Sequence, residues 1–168
     1  DRYGVAITLN SIGLIHTNQG RYEKDATRYQ ESLKIKREVG DSRGIAATLL
    51  NIGLVAKKQG HYDQALSHYK ETLKISREIG DRGAISTALN NIGGVRESTG
   101  HYDQVLARYR EALAINQTIG HPQGTARNLE NIGTLHLRQG YLPAATDTLS
   151  RAVRLTERLR RNATTPDA

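Results

Sequence analysis

The chain has 168 residues, 37% of them hydrophobic, and no cysteine, which excludes disulfides, zinc–thiolate sites and thiol chemistry. Lysine and arginine total 24 against 17 aspartates and glutamates, and the formal charge of +7 favours acidic partners. No apolar run approaches the roughly 18 residues of a membrane-spanning helix, and no charged-then-apolar leader opens the sequence. Because the chain starts at Asp1 rather than Met, we expect a piece of a longer protein, and a cytoplasmic location is the default expectation.

Four copies of one unit follow each other along the chain. The triplet Asn-Ile-Gly ends at Gly53, Gly93 and Gly133, and a degenerate Ser-Ile-Gly ends at Gly13. The differences 53 − 13, 93 − 53 and 133 − 93 all equal 40, and a fixed period of this size indicates a repeat architecture. We predict one repeat domain over residues 1–161, made of units 1–40, 41–80, 81–120 and 121–161.

Two further sets of glycines, each spaced by 40 residues and here called glycine ladders, predict where helices end. Each unit holds two amphipathic runs with a 3.6-residue period, and each run stops at a glycine that suits a left-handed helix terminus. The first unit should therefore contain a first helix near Arg2–Gln19 and a second helix near Tyr22–Val39. In the fourth unit, Pro122 and Pro143 suit the first turns of the two helices. The last helix should run to about Arg160, and we expect the tail 162–168, which lacks periodicity, to be disordered.

The glycines of the Asn-Ile-Gly triplets lie inside first helices and need a separate explanation. An interior glycine costs a helix about 1 kcal/mol relative to alanine. We predict that the missing side chain at Gly53 and its equivalents lets the second helix of the unit pack closely across the first.

The units resemble the tetratricopeptide repeat in the order of their glycine, small and aromatic residues. The second unit shows this order as Ile52-Gly53, Gly60, Tyr62, Ala65, Tyr69 and Leu73, and the third as Ile92-Gly93, Gly100, Tyr102, Val105, Tyr109, Ala112 and Leu113. The resemblance covers essentially the whole chain and implies an all-α, right-handed superhelical solenoid of helix-turn-helix repeats.

The chain departs from the usual pattern of the family at several points. Its period is 40 rather than about 34 residues, and the proline that usually closes the second helix is absent. Asp25 stands at a small apolar position, and Leu142 and Leu149 replace two tyrosines of the last second helix. The 40-residue variant is similar to repeats in spindle-orienting G-protein regulators, kinesin light chains and bacterial ATPase-type transcription regulators.

In this family the first helices line a concave face, so the resemblance places a binding site there. The corresponding stripe of side chains turns from apolar to polar and basic along the chain. The resulting candidate residues for peptide binding are Asn10, Asn51, Lys58, Asn90, Asn91, Arg127, Asn131 and Arg138. Asparagine is unfavourable within a helix, so its repetition here needs an explanation. Two interpretations of the repeated asparagines stay open. Their amides could bond the backbone of an extended peptide, as the resemblance implies, or they could bridge neighbouring first helices.

Catalysis and metal binding find no support in the sequence. His61 and His101 follow turn glycines at equivalent positions, and neither has the helical His or carboxylate partners of a metal site. Paired carboxylates, nucleophile–base sets and phosphate-binding glycine loops are missing, so we predict neither an enzyme nor a cofactor.

The function predicted is therefore a non-catalytic scaffold that binds a protein or peptide, with basic residues selecting an acidic one. The alternative is a structural array of a larger regulatory protein that associates with itself through uncapped end helices, where Leu149, Val153 and Leu159 need cover. Nucleic-acid binding through the +7 charge is less well supported, because the sequence shows no dense basic patch. A membrane partner is not expected.

Overall fold

The computed structural model describes residues 2–18 and 22–164, and within these ranges it contains helices and no strand. The eight helices are α1 (Arg2–Asn18), α2 (Tyr22–Glu38), α3 (Ser42–Lys58), α4 (Tyr62–Glu78), α5 (Arg82–Ser98), α6 (Tyr102–Thr118), α7 (Pro122–Arg138) and α8 (Leu142–Thr164). Extended packing is confined, over the described part of the chain, to helices that are adjacent in sequence or one helix apart. The predicted all-α solenoid is thus confirmed, with odd-numbered first helices and even-numbered second helices.

The helices end where the glycine ladders predict. At the end of α3, Gly60 has a φ of 80°, a conformation that a side chain would strain. The N–H of Gly60 bonds the carbonyl of Lys57 (3.0 Å), and the N–H of His61 bonds that of Ala56 (2.8 Å). These two hydrogen bonds close the helix, and the next helix begins after three intervening residues. Positive φ recurs at Gly40, Gly80, Gly100, Gly120 and Gly140, whereas Gly20 lies outside the described residues.

The last helix differs from the sequence prediction at its end. α8 has 23 residues instead of 17 and continues to Thr164, past the predicted end near Arg160. The physical reason is that Arg160 occupies the place of Gly40, Gly80 and Gly120, so no helix stop is present. Residues 162–164 are therefore helical, and for 165–168, which lie outside the described residues, disorder stays a prediction.

The interior glycines hold the two helices of each unit close together, as predicted. A Cβ atom at Gly53 would lie 2.5 Å from Cε1 of the buried Tyr69 ring, and one at Gly93 would lie 2.5 Å from Cε1 of Tyr109. At Gly133, where a leucine replaces the tyrosine, a Cβ would lie 2.6 Å from Cγ of Leu149. No real Cβ tolerates such distances, so the helix spacing depends on glycine at these positions.

The junctions between units contain polar side chains at one repeated pair of positions. The pair is Lys36–Thr48 at the first junction, where Nζ donates to Oγ1 over 2.8 Å, and Asn116–Asn128 at the third, where Nδ2 donates to Oδ1 over 2.6 Å. Burial lowers the pKa of Lys36, and nearby Asp41 partly opposes that shift. At the second junction the same positions hold Ser76 and Ala88. Each junction thus fills the same space with different chemistry.

We expect His121→Asp to stabilise the protein by about 1 kcal/mol. Asp41 and Asp81 cap α3 and α5, since their Oδ1 atoms accept the backbone N–H groups of Gly44 (2.9 Å) and Ala84 (3.0 Å). The equivalent His121 makes no side-chain capping bond to α7, and an aspartate there would supply one. Urea unfolding followed by circular dichroism measures the change. Asp81→Ala is the control and should lose a similar amount, and a destabilising His121→Asp would contradict the prediction.

Candidate binding surface

Asparagine side chains join neighbouring first helices in two places. Nδ2 of Asn51 on α3 donates to Oδ1 of Asn10 on α1 over 3.2 Å, and Nδ2 of Asn131 on α7 donates to Oδ1 of Asn90 on α5 over 2.8 Å. In both pairs the partners are 41 residues apart, one repeat plus one residue. In the unliganded chain these amides therefore bridge helices, which is one of the two interpretations that the sequence leaves open.

Asn91 stands outside this bridging pattern. The residue 41 positions before it is Leu50, which offers no polar group. Within residues 2–18 and 22–164 the Asn91 side chain makes no hydrogen bond, although its neighbour Asn90 does. The row of asparagines is thus divided into two bonded pairs and one amide that is available to a ligand.

A buried extension of the Asn90–Asn131 pair reaches into the junction of the third and fourth units. Nδ2 of Asn128, which is 1% exposed, donates to Oδ1 of Asn90 over 3.0 Å. Asn128 in turn accepts the bond from Asn116 on α6. Oδ1 of Asn90 accepts two bonds, from Asn128 and Asn131, so both of its lone pairs are used. The amide of Asn90 is held in one orientation, with its NH₂ group turned away from this network.

A cavity of about 370 Å³ opens between α3, α5 and α7 on the face formed by the first helices. Five of the predicted residues line it: Asn90, Asn91, Arg127, Asn131 and Arg138. The lining is completed by Lys57, Gly94, Glu97, Ser98 and Tyr109. Asn10, Asn51 and Lys58, which were also predicted, lie on first helices but do not line this cavity. We call it the α5–α7 cavity.

Glu97 is the centre of the charged contacts in the α5–α7 cavity. Its Oε1 pairs with Nη1 of Arg138 on α7 (2.9 Å), and its Oε2 accepts a hydrogen bond from Oη of Tyr109 on α6 (2.9 Å). Lys57 on α3 lies beside α5, where its Nζ would be 2.9 Å from a Cβ added at Gly94, and its charge is attracted by Glu97. Three cations, Lys57, Arg127 and Arg138, against one carboxylate leave the cavity with a net charge of +2.

Burial shifts the pKa values of two of these groups. Desolvation lowers the pKa of the Lys57 ammonium, and the attraction of Glu97 partly opposes that shift. Desolvation raises the pKa of the Tyr109 hydroxyl, and its hydrogen bond to Glu97 raises it further. Tyr109 therefore stays a neutral hydrogen-bond donor at physiological pH.

The residues of this network that were not among the predicted site residues are Lys57, Glu97, Tyr109, Asn116 and Asn128. For Glu97 a signal exists, because it precedes Arg138 by 41 residues, the offset that also relates Asn90 to Asn131. For Asn116 and Asn128 the repeat provides no such signal, since the equivalent positions hold a lysine, a serine, a threonine and an alanine.

The described residues offer little support for other kinds of site. No group of three or more His, Asp or Glu side chains in this part of the chain could hold a metal ion. None of its helices combines the length and apolar character needed to cross a membrane.

The sequence matches the family described as "Tetratricopeptide repeat" over residues 4–78, 44–118 and 84–158. These three overlapping matches together cover most of the chain and advance by one 40-residue period each. No curated protein matches the chain.

Several solved structures share the fold. BtubC (BKLC) from P. vanneervenii has a TM-score of 0.81 and 23% identity, over 100% of this chain and 68% of that one. Aspartyl phosphate phosphatase F from Bacillus subtilis has a TM-score of 0.89 and 14% identity, over 95% of this chain and 42% of that one. A Rap protein complexed with competence and sporulation factor has a TM-score of 0.87 and 17% identity, over 94% of this chain and 44% of that one. The chain thus spans less than half of the last two proteins, and the likeness shows the fold alone.

Proposed function

The chain belongs to the tetratricopeptide repeat family, and we propose that it is a non-catalytic scaffold that binds a peptide or protein segment on the face of its first helices. The observation that carries the proposal is the α5–α7 cavity, which combines the unbonded amide of Asn91 with a net positive charge. A protein of the same fold is known in complex with competence and sporulation factor, which supports a binding role.

The packing of the helices favours this face over the opposite one. The backbones of α1 and α3, and of α3 and α5, approach each other, whereas no two second helices in the described ranges do so to the same extent. In a curved array the helices that lie closer together are on the inner side. The first helices should therefore line a concave groove, which can surround an extended segment.

The charge of the cavity favours an acidic segment. Arg127 makes no ion pair within the described ranges, and Arg138 is 58% exposed although it pairs with Glu97. A guanidinium binds a carboxylate through two parallel N–H groups, and such bonds are stronger than neutral ones. The backbone of the segment would bond Asn91 and Asn131, while its acidic side chains would meet Arg127 and Arg138.

We expect Asn91→Ala to weaken binding by about three- to tenfold, the effect of losing one hydrogen bond of about 1 kcal/mol. A peptide selected from a random library on the wild-type chain serves as ligand, and calorimetry measures its Kd. The melting temperature should change by less than a few degrees, because the Asn91 side chain makes no hydrogen bond to the residues that the structure describes.

Asn162→Ala is the matched control, since Asn162 is exposed on α8 and does not line the α5–α7 cavity. It should leave the Kd unchanged. If Asn91→Ala and Asn131→Ala both bind the selected peptide as tightly as the wild type, the proposed face is wrong.

Self-association is a weaker candidate. Leu142 and Val153 on α8 are 59% and 55% exposed, so contact of these apolar side chains with another molecule at this end of the array would be favourable. However, consecutive second helices are joined by the ion pairs Arg37–Glu71 and Arg77–Glu111, both 34 residues apart. A second copy stacked in the same register would place Glu31 against Glu157, carboxylate against carboxylate. End-to-end continuation of the array is therefore disfavoured.

A further inference from the structure

We propose that Glu97 is an internal stand-in for the partner: its carboxylate occupies, in the free chain, the place where a carboxylate of the bound segment pairs with Arg138 and Lys57. This inference rests on the proposed function and specifies the chemistry of its central contact. Binding would then exchange one carboxylate for another, with Glu97 moving aside.

The first argument is the way in which Glu97 is held. Its side chain lines the cavity and is only 13% exposed, and its carboxylate pairs with an arginine through one oxygen and accepts a tyrosine hydroxyl bond on the other. Lys57 adds a cation from a third helix. Donors from α6 and α7 therefore hold one carboxylate that belongs to α5, with the Lys57 ammonium of α3 as a further attractive charge, and this is an arrangement that would suit a bound acidic group.

The second argument is that the repeat does not need this carboxylate. The positions equivalent to Glu97 in the second and fourth units are Lys57 and Leu137. Tyr69, the equivalent of Tyr109, is just as buried, and its hydroxyl has no hydrogen-bond partner among the described residues. The pair of Glu97 with Arg138 is thus no part of the packing that all units share.

The third argument is the charge left behind when Glu97 moves. It is the only acid that lines the α5–α7 cavity among the described residues. Without its charge, the cavity would be lined by Lys57, Arg127 and Arg138 with no anion from the described residues beside them. Like charges in such a place attract an external carboxylate strongly. The internal carboxylate therefore competes with the ligand and keeps the empty cavity stable.

The competition makes Glu97→Gln an informative variant. Glutamine keeps the shape and the bond from Tyr109 but cannot form an ion pair. We expect it to bind an acidic peptide about three- to tenfold more tightly than the wild type, because a partly exposed ion pair of modest strength no longer has to be broken. Arg138→Gln should bind the same peptide more weakly than the wild type.

The probe is a fluorescein-labelled, blocked peptide of five Glu-Gly repeats, and its Kd is measured by anisotropy at low salt. The same length of Lys-Gly repeats serves as the opposite-charge probe. Glu71→Gln is the matched control: it changes the net charge equally but lies on α4, where it pairs with Arg37. Thermal melts confirm that every variant is folded.

Tighter binding of the Glu-Gly probe by Glu97→Gln, and not by Glu71→Gln, supports the inference. An unchanged Kd, equal gains in both variants, no binding of this probe, or a loss of Lys-Gly binding in Glu97→Gln would each overturn it. The last result would show that Glu97 itself recognises a cation. The proposed function is judged separately, by the effect of Asn91→Ala on the library-selected peptide, so the two ideas can fail independently.

Discussion

Asn128→Ala should lower the free energy of unfolding by about 2–3 kcal/mol. The Asn128 amide is buried and accepts a bond from Asn116 while donating one to Asn90. Its removal deprives the buried Asn116 NH₂ group of this partner, and a buried donor that is left unsatisfied costs more than a hydrogen bond contributes. Urea denaturation followed by circular dichroism measures the loss.

The repeat itself provides the control for this prediction. The second junction holds Ser76 and Ala88 where the third holds Asn116 and Asn128. The double variant Asn116→Ser with Asn128→Ala copies that junction and should recover about 1–2 kcal/mol relative to Asn128→Ala alone, the coupling expected of residues in direct contact. Strictly additive effects of the two substitutions would contradict the existence of the Asn116–Asn128 bond.

The same junction shows which part of the fold can be derived from the sequence. The units, the helix ends at glycines such as Gly60, and the contact of Gly53 with the second helix all follow from spacing and steric argument. These features depend on the backbone or on one missing side chain, and they recur in phase. Asn116 and Asn128 do not recur, so periodicity, the strongest signal in the sequence, cannot reveal their pairing.

The proposed binding face was predictable only in part. The sequence identified Asn91, Asn131 and Arg138 as members of one face, because their positions relative to the repeat place them there. It did not show that Asn131 would bond Asn90 while Asn91 stays unbonded. That difference depends on a single residue. The position 41 residues before Asn91, on the neighbouring first helix α3, is Leu50, whose side chain cannot form a hydrogen bond. The sequence spacing of side chains that meet between neighbouring first helices depends on how these helices pack. The repeat period alone does not reveal that packing geometry.

The end of α8 illustrates the opposite case, in which the sequence contained the answer. The third glycine ladder has members at Gly40, Gly80 and Gly120, and Arg160 interrupts it. The missing stop signal predicts a longer helix, as the structure shows. The absence of periodicity after residue 161 suggested disorder instead, and a single helical turn is too short for a period to be visible.

Gly93→Ala should lower the free energy of unfolding by about 1–2 kcal/mol. The added methyl group would lie 2.5 Å from the Tyr109 ring, and overpacking of this kind costs about 1–3 kcal/mol. The better helix propensity of alanine returns up to about 1 kcal/mol of that cost. The Tyr109 residue is buried, with 2% of its surface exposed, so we expect the contact to be relieved mainly by a separation of α5 and α6.

Gly83→Ala is the matched control, because it makes the same substitution in the same helix. A Cβ at Gly83 would lie 3.5 Å from Oδ1 of Asp81, an ordinary contact, so this variant should be as stable as the wild type or slightly more stable. If Gly93→Ala were equally harmless, close contact with the Tyr109 ring could not be the reason for glycine in the triplet. The expected displacement of Tyr109 also moves the hydroxyl that bonds Glu97. The Gly of Asn-Ile-Gly thus positions a group that lines the α5–α7 cavity as well as the helix that carries it.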